Sequence, residues 1–132
     1  MPSNKIWKKL PVRHILEEAR RVDNMAEITD VLLKLKERTN QGKVAWKATS
    51  EPQTFVATIG SNSAMVSLDF YANAVLSILN ASGDEIEKFD SGVSDDDYWK
   101  GEASNLQRAA RRIALGVDET LDELLDELEK VE

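Results

Sequence analysis

Between residues 43 and 90 apolar side chains recur at every second position, and on either side of that run they recur every three to four. A period of two belongs to strands and a period near 3.6 to helices, so a sheet between helical segments is the fold most consistent with this pattern. Residues 43–49 alternate with Val44, Trp46 and Ala48 on one face, and residues 50–53 carry turn chemistry. Residues 54–59 place Phe55, Ala57 and Ile59 together, and residues 60–63 break the run. Residues 64–70 then turn Val66, Leu68 and Phe70 inward, with Ser67 and Asp69 outward. Such alternation predicts antiparallel strands wet on one side. Residues 75–80 are apolar on both sides, which leaves their register open and fits cover on both faces. Residues 81–84 make a hairpin loop in which Gly83 supplies positive φ. In residues 85–89, Ile86 and Phe89 fall three apart, as in an edge strand that bends or stops early. Glu85 and Glu87 are read on one face, a charged edge that deters strand addition.

Helical spacing flanks this run. Pro11 suits a first helical position, and Val12, Ile15, Leu16, Ala19 and Val22 follow on one side. Asn24 with Glu27 has the spacing of a capping box for a helix over residues 25–39, with Ile28, Val31, Leu32 and Leu35 buried and Gly42 just past its end. Asp95, Asp96 and Asp97 favour a helix start. Trp99, Ala103, Leu106, Ala110 and Ile113 share the next helical face, and Gly116 stops it. Asp118 or Thr120 then caps a last helix striped with Leu121, Leu124, Leu125, Leu128 and Val131, its other side nearly all carboxylate. The fold class is α+β: an antiparallel meander of four or five strands, covered by one preceding helix and a C-terminal helical pair, with an extra N-terminal helix.

A chain of 132 residues fits one core. Residues 24–132 form a single α+β domain, and residues 1–23 a basic arm or helix added to it, which either folds back on the chain's own acidic helix or packs against another chain. Charge is unevenly placed: residues 1–47 hold 11 Lys/Arg against 6 Asp/Glu, whereas residues 118–132 hold 1 against 8. Asymmetry of this kind means that basic and acidic faces meet, within a chain or across an interface. The net charge of −7 argues against free nucleic acid as partner. No secretory h-region follows the N-terminal lysines, and no stretch approaches the roughly 20 apolar residues of a membrane span. With no cysteine in the chain, a cytoplasmic location and no membrane partner are expected.

Residues 43–46 (Lys-Val-Ala-Trp), Phe55, Gly83, residues 106–112 (Leu-Gln-Arg-Ala-Ala-Arg-Arg) and residues 116–125 resemble a set of small uncharacterised bacterial α+β proteins. The resemblance spans about residues 25–131 and is one of core, caps and charge pairs. It implies a fold and no chemistry, and residues 1–22 lie outside it.

No phosphate-loop, nucleophile-elbow or zinc-protease motif is present. His14, with Glu17 and Glu18 within a turn, lacks a second catalytic partner and is read as a surface histidine. Asp95, Asp96 and Asp97 point about 100° apart on a helix and do not converge on one ion. The arginines 108, 111 and 112 are followed by Asp118, Glu119, Asp122 and Glu123, which a helical hairpin would bring to them. No catalytic residue, metal ligand or cofactor is assigned. The expected function is non-enzymatic: a protein-interaction module of the small inhibitor, immunity or adaptor kind. Its contacts are the basic N-terminal helix (Trp7, Lys8, Lys9, Leu10, Arg13, Arg20 and Arg21) and the acidic C-terminal helix, and its partner is another protein or a second copy of itself. The alternatives are a small-ligand sensor with a pocket between sheet and helices, and an acidic inhibitor that mimics nucleic acid.

Overall fold

A computed structural model of the chain describes residues 27–131. The extra N-terminal helix expected over residues 11–22 and the arm that contains it lie outside the described residues. The described part is α+β. Helix α1 (Ile28–Asn40) leads into five strands: β1 (Lys47–Ala48), β2 (Phe55–Ile59), β3 (Asn62–Leu68), β4 (Ala74–Leu79) and β5 (Glu85–Asp90). A 3-10 turn (Ser91–Val93) then precedes helices α2 (Asp97–Leu115) and α3 (Val117–Glu129). The strands pair antiparallel in chain order, a simple meander.

The core lies between the sheet and helices α1 and α2. Leu32 and Leu35 of α1, Ala103, Leu106 and Ala110 of α2, and Phe55, Ala57, Ala64, Val66, Ala74 and Leu76 of the strands form one buried cluster. Val44 and Trp46 join it just ahead of β1. They are buried as their alternation requires, although regular pairing begins only at Lys47, opposite Val56. The indole N–H of Trp46 donates to Thr39 Oγ1 at 3.0 Å, which gives the buried indole its partner and ties the loop to the end of α1. Lys36 and Glu102 bridge α1 to α2 at 2.9 Å.

Several boundaries differ from the sequence expectation, each for a local reason. Helix α1 starts at Ile28 because Glu27 is extended (φ −97°, ψ 147°); the Glu27 N–H donates to Asp30 Oδ2 at 3.0 Å, so the box is built one turn later than Asn24 and Glu27 suggested. The β2–β3 connection is only Gly60 and Ser61, with Gly60 at φ +64°, the geometry a two-residue hairpin asks of its first position. Strand β3 therefore begins at Asn62, not Ala64. In β4, Ala74 and Leu76 face the core, while Ser77 on the other face is also buried between its pairing partners Met65 and Lys88. That two-sided screening is why the strand's pattern did not alternate.

Strand β5 carries a bulge. Leu79 pairs with Glu85 and Ile78 with Glu87, so Ile86 is an extra residue. Paired residues share a face and neighbours along a strand do not, so Glu85 and Glu87 lie on opposite faces, contrary to the common face read from their spacing. The same bulge resets the phase and lets Phe89, opposite Leu76, pack against the core.

Candidate functional site

Helix α3 is amphipathic by sequence, yet none of its residues is buried. Leu121, Leu124, Leu125, Leu128 and the following Val131 are 46%, 53%, 62%, 61% and 69% exposed. The expectation that both C-terminal helices cover the sheet holds for α2 alone. The reason lies at the junction. Gly116 takes the left-handed conformation (φ +62°), its N–H satisfies carbonyls at the end of α2, and α3 starts at the very next residue. Arg112 of α2 is ion-paired with Asp118 of α3 across this corner. Of the three arginines 108, 111 and 112, it is the one so joined; Arg108 instead donates to Asn105 Oδ1 at 3.3 Å. The expected meeting of the basic and acidic sets is thus limited to the corner, and the leucine face beyond it is turned to solvent.

The electrostatics of α3 are unfavourable on their own. It carries seven carboxylates and no cation between Val117 and Glu129. Asp118, Asp122 and Asp126 follow one another at i,i+4, as do Glu119, Glu123 and Glu127, and like charges at that spacing each cost a few tenths of a kcal/mol. Asp126, Glu127 and Glu129 also crowd the negative end of the helix dipole. Lys130 just past the helix answers only Glu127, at 3.3 Å. A 13-residue helix of this kind is marginal without packing, because isolated helices shorter than about 12–15 residues are.

A second feature lies beside helix α1. An open, mostly apolar groove of about 530 Å³ runs between α1 and the end of the sheet where β2 turns into β3. Val31, Leu35, Val44, Ile59, Ala64 and Ile78 line it together with Lys34, Arg38, Lys43 and Asp30. Ile59, on the same face as the buried Phe55 and Ala57, is 45% exposed because it sits at this end of the sheet, which no described residue covers. Lys34 reaches Glu37 at 3.1 Å, and that hydrogen bond, with the lysine's charge, lowers the Glu37 pKa from its ordinary value.

The third feature is a hairpin tip. Phe70, expected to face the core, is 93% exposed, and its neighbour Tyr71 is 80% exposed. Asp69 ends the strand: its Oδ1 accepts from the N–H groups of Tyr71 (2.8 Å) and Asn73 (2.9 Å), so Phe70 belongs to the turn and its parity no longer counts. Those bonds hold the Asp69 carboxyl below its ordinary pKa. The two rings meet edge to face at 5.3 Å.

Asp96 caps α2 by accepting from the Tyr98 N–H at 2.9 Å, the role read for the aspartate run. Among the described residues no group of three or more His, Cys, Asp or Glu is placed to hold a metal ion, and no helix is long and apolar enough to cross a membrane. Trp7, Lys8, Lys9, Leu10, Arg13, His14, Arg20 and Arg21 lie outside the described residues. The buried Gln107 carries no distinctive signal in the sequence, being a lone glutamine in a helical stripe, and of the groove the sequence offered only the general place, between sheet and helices, and none of its residues. Comparison with known protein families, curated proteins and solved structures finds no match to the chain.

Proposed function

We propose that the protein is a non-enzymatic interaction module and that the leucine face of α3 is its principal contact surface. The observation that carries this is the exposure of five apolar side chains at helical spacing on an acidic helix that its own described body leaves uncovered. Fully burying a leucine is worth roughly 1.5–3 kcal/mol, so a stripe of four leaves a large stabilisation to be gained on contact. Amphipathic helices that lay their apolar face into a groove use the same i, i+3, i+4, i+7 spacing. Leu121, Leu124, Leu125 and Leu128 have it. The carboxylates flanking the stripe call for a partner surface that is apolar in the middle and basic at its borders. The basic residues of the arm, Lys8, Lys9, Arg13, Arg20 and Arg21, with Trp7 and Leu10, form a second contact element in this proposal. The test is a photo-crosslinking side chain at position 125 of the full chain in native extract, with one at Thr58 on the exposed sheet surface as control. Discrete adducts at position 125 alone support the module; equal or absent adducts at both reject it.

A small-ligand sensor is the second reading, favoured by one observation: the groove beside α1 falls within the 300–1,000 Å³ typical of ligand sites and presents a mostly apolar surface. A ligand bound there would raise the melting temperature by linkage, and a metabolite screen without any shift counts against it.

A further inference from the structure

We infer that the groove between α1 and the β2–β3 turn receives helix α3 of a second copy of this chain, so that two chains exchange C-terminal helices reciprocally. The inference rests on the interaction-module reading and names its partner.

Chemistry on the two surfaces is opposite where it must be and alike where it must be. The groove is lined by the apolar Val31, Leu35, Ile59, Ala64 and Ile78, with Asn62 and Ser63 beside them. Its lining also includes three cations, Lys34 (paired with Glu37), Arg38 and Lys43, against the carboxylate of Asp30. Helix α3 has an apolar stripe bordered by carboxylates and Thr120, with no cation within the helix. Dimensions agree as well. The α1 wall from Asp30 to Arg38 is about 12 Å long and the stripe from Leu121 to Leu128 about 10.5 Å, at 1.5 Å rise per residue. Docking would set cations beside the i,i+4 carboxylate rows that repel one another in the free helix.

The rival occupants are disfavoured by charge and by placement. The chain's own first 26 residues hold six Lys/Arg and three Asp/Glu, the same sign as the cations in the groove's lining. Among the described elements the chain's own α3 makes its main contacts with α2. A second copy supplies an α3 of the right charge, and a two-fold axis makes each chain both donor and acceptor, so the contact is formed twice.

The experiment is the solution mass of the full chain and of two variants, one with Val31→Glu and Arg38→Glu in the groove, the other with Leu124→Asp and Leu128→Asp on the stripe. All four positions are on the surface side of their helices, and retained circular dichroism and melting confirm that each variant folds. The wild-type chain is expected at twice 14.8 kDa and each variant at 14.8 kDa. Mixing the two variants is expected to restore a dimer, because the groove variant keeps a working stripe and the stripe variant a working groove. A monomeric wild-type chain overturns the inference, as does a groove variant that stays dimeric or a mixture that stays monomeric. A monomeric wild type whose position 125 still gives discrete adducts in extract would remove the second copy as partner and leave the interaction module standing; failure of both removes both.

Discussion

The side-chain amide of Gln107, buried in the middle of α2, donates to the main-chain carbonyl of Gln53 at 2.9 Å. This bond pins the turn between β1 and β2 to the helix above it, and Gln53 itself sits at φ +66°, where a non-glycine residue is strained. Replacing Gln107 with Leu keeps the volume and removes the bond, and is expected to cost about 0.5–1.5 kcal/mol in denaturant unfolding. Gln53→Gly relieves the backbone and is expected to be neutral or to stabilise by up to about 1 kcal/mol. A loss on Gln53→Gly larger than that on Gln107→Leu would contradict this account of the turn.

Trp46 and Thr39 form a buried pair whose worth is measurable by a double-mutant cycle. Thr39→Val strands the indole N–H in the core and is expected to cost about 1–3 kcal/mol. Trp46→Phe removes the donor as well as packing. The double variant should be less destabilised than the sum of the singles by about 0.5 kcal/mol or more, since contacting residues couple. Additive losses would show that the hydrogen bond contributes nothing.

At the aromatic tip, Asp69 accepts main-chain N–H groups that favour its charged form. Its folded pKa is lowered chiefly by the Asn73 N–H, with help from Tyr71, so its contribution to the turn is present above the ordinary value of 3.8 and lost as pH falls through the lower folded value. A carboxyl NMR titration should find Asp69 titrating below 3.8; titration at or above that value contradicts the turn geometry. Ala72 in the same turn holds φ +67°, and Ala72→Gly is expected to stabilise by about 0.5–1 kcal/mol.

Two leucines on neighbouring helices should behave oppositely. Leu106 of α2 is fully buried, and Leu106→Ala is expected to cost about 2–5 kcal/mol. Leu124→Asp on α3, 53% exposed, should change the stability of the dilute protein by no more than about 0.5 kcal/mol. Equal losses in dilute solution would mean that α3 is packed within its own chain.

The sheet was legible in the sequence because Phe55, Ala57, Ala64 and Val66 alternate with polar or half-buried neighbours, and one-sided burial writes that period directly. Legibility failed where tertiary detail overrides local pattern. Phe70 keeps the parity of β3, but Asp69 has already closed the turn. Ile86 and Phe89 lost their phase to a bulge that no single residue announces. The stripe of α3 was read correctly as a helix face, yet periodicity states only that a face is apolar and says nothing of what covers it. The junction at Gly116, with Arg112 holding Asp118, leaves the stripe off the sheet.

The central claim, that the α3 stripe is covered by another chain, is tested most directly by thiol reactivity. The natural chain has no cysteine, so a single Leu125→Cys substitution gives one reporter in the middle of the stripe. Across a dilution series of the full chain, the thiol is expected to react slowly when concentrated and to approach the rate of a free cysteine when dilute, with the midpoint following the fall in solution mass. A rate that is slow at every dilution would place the cover within one chain, and a rate that is fast at every concentration would leave the stripe without a cover; either contradicts the account.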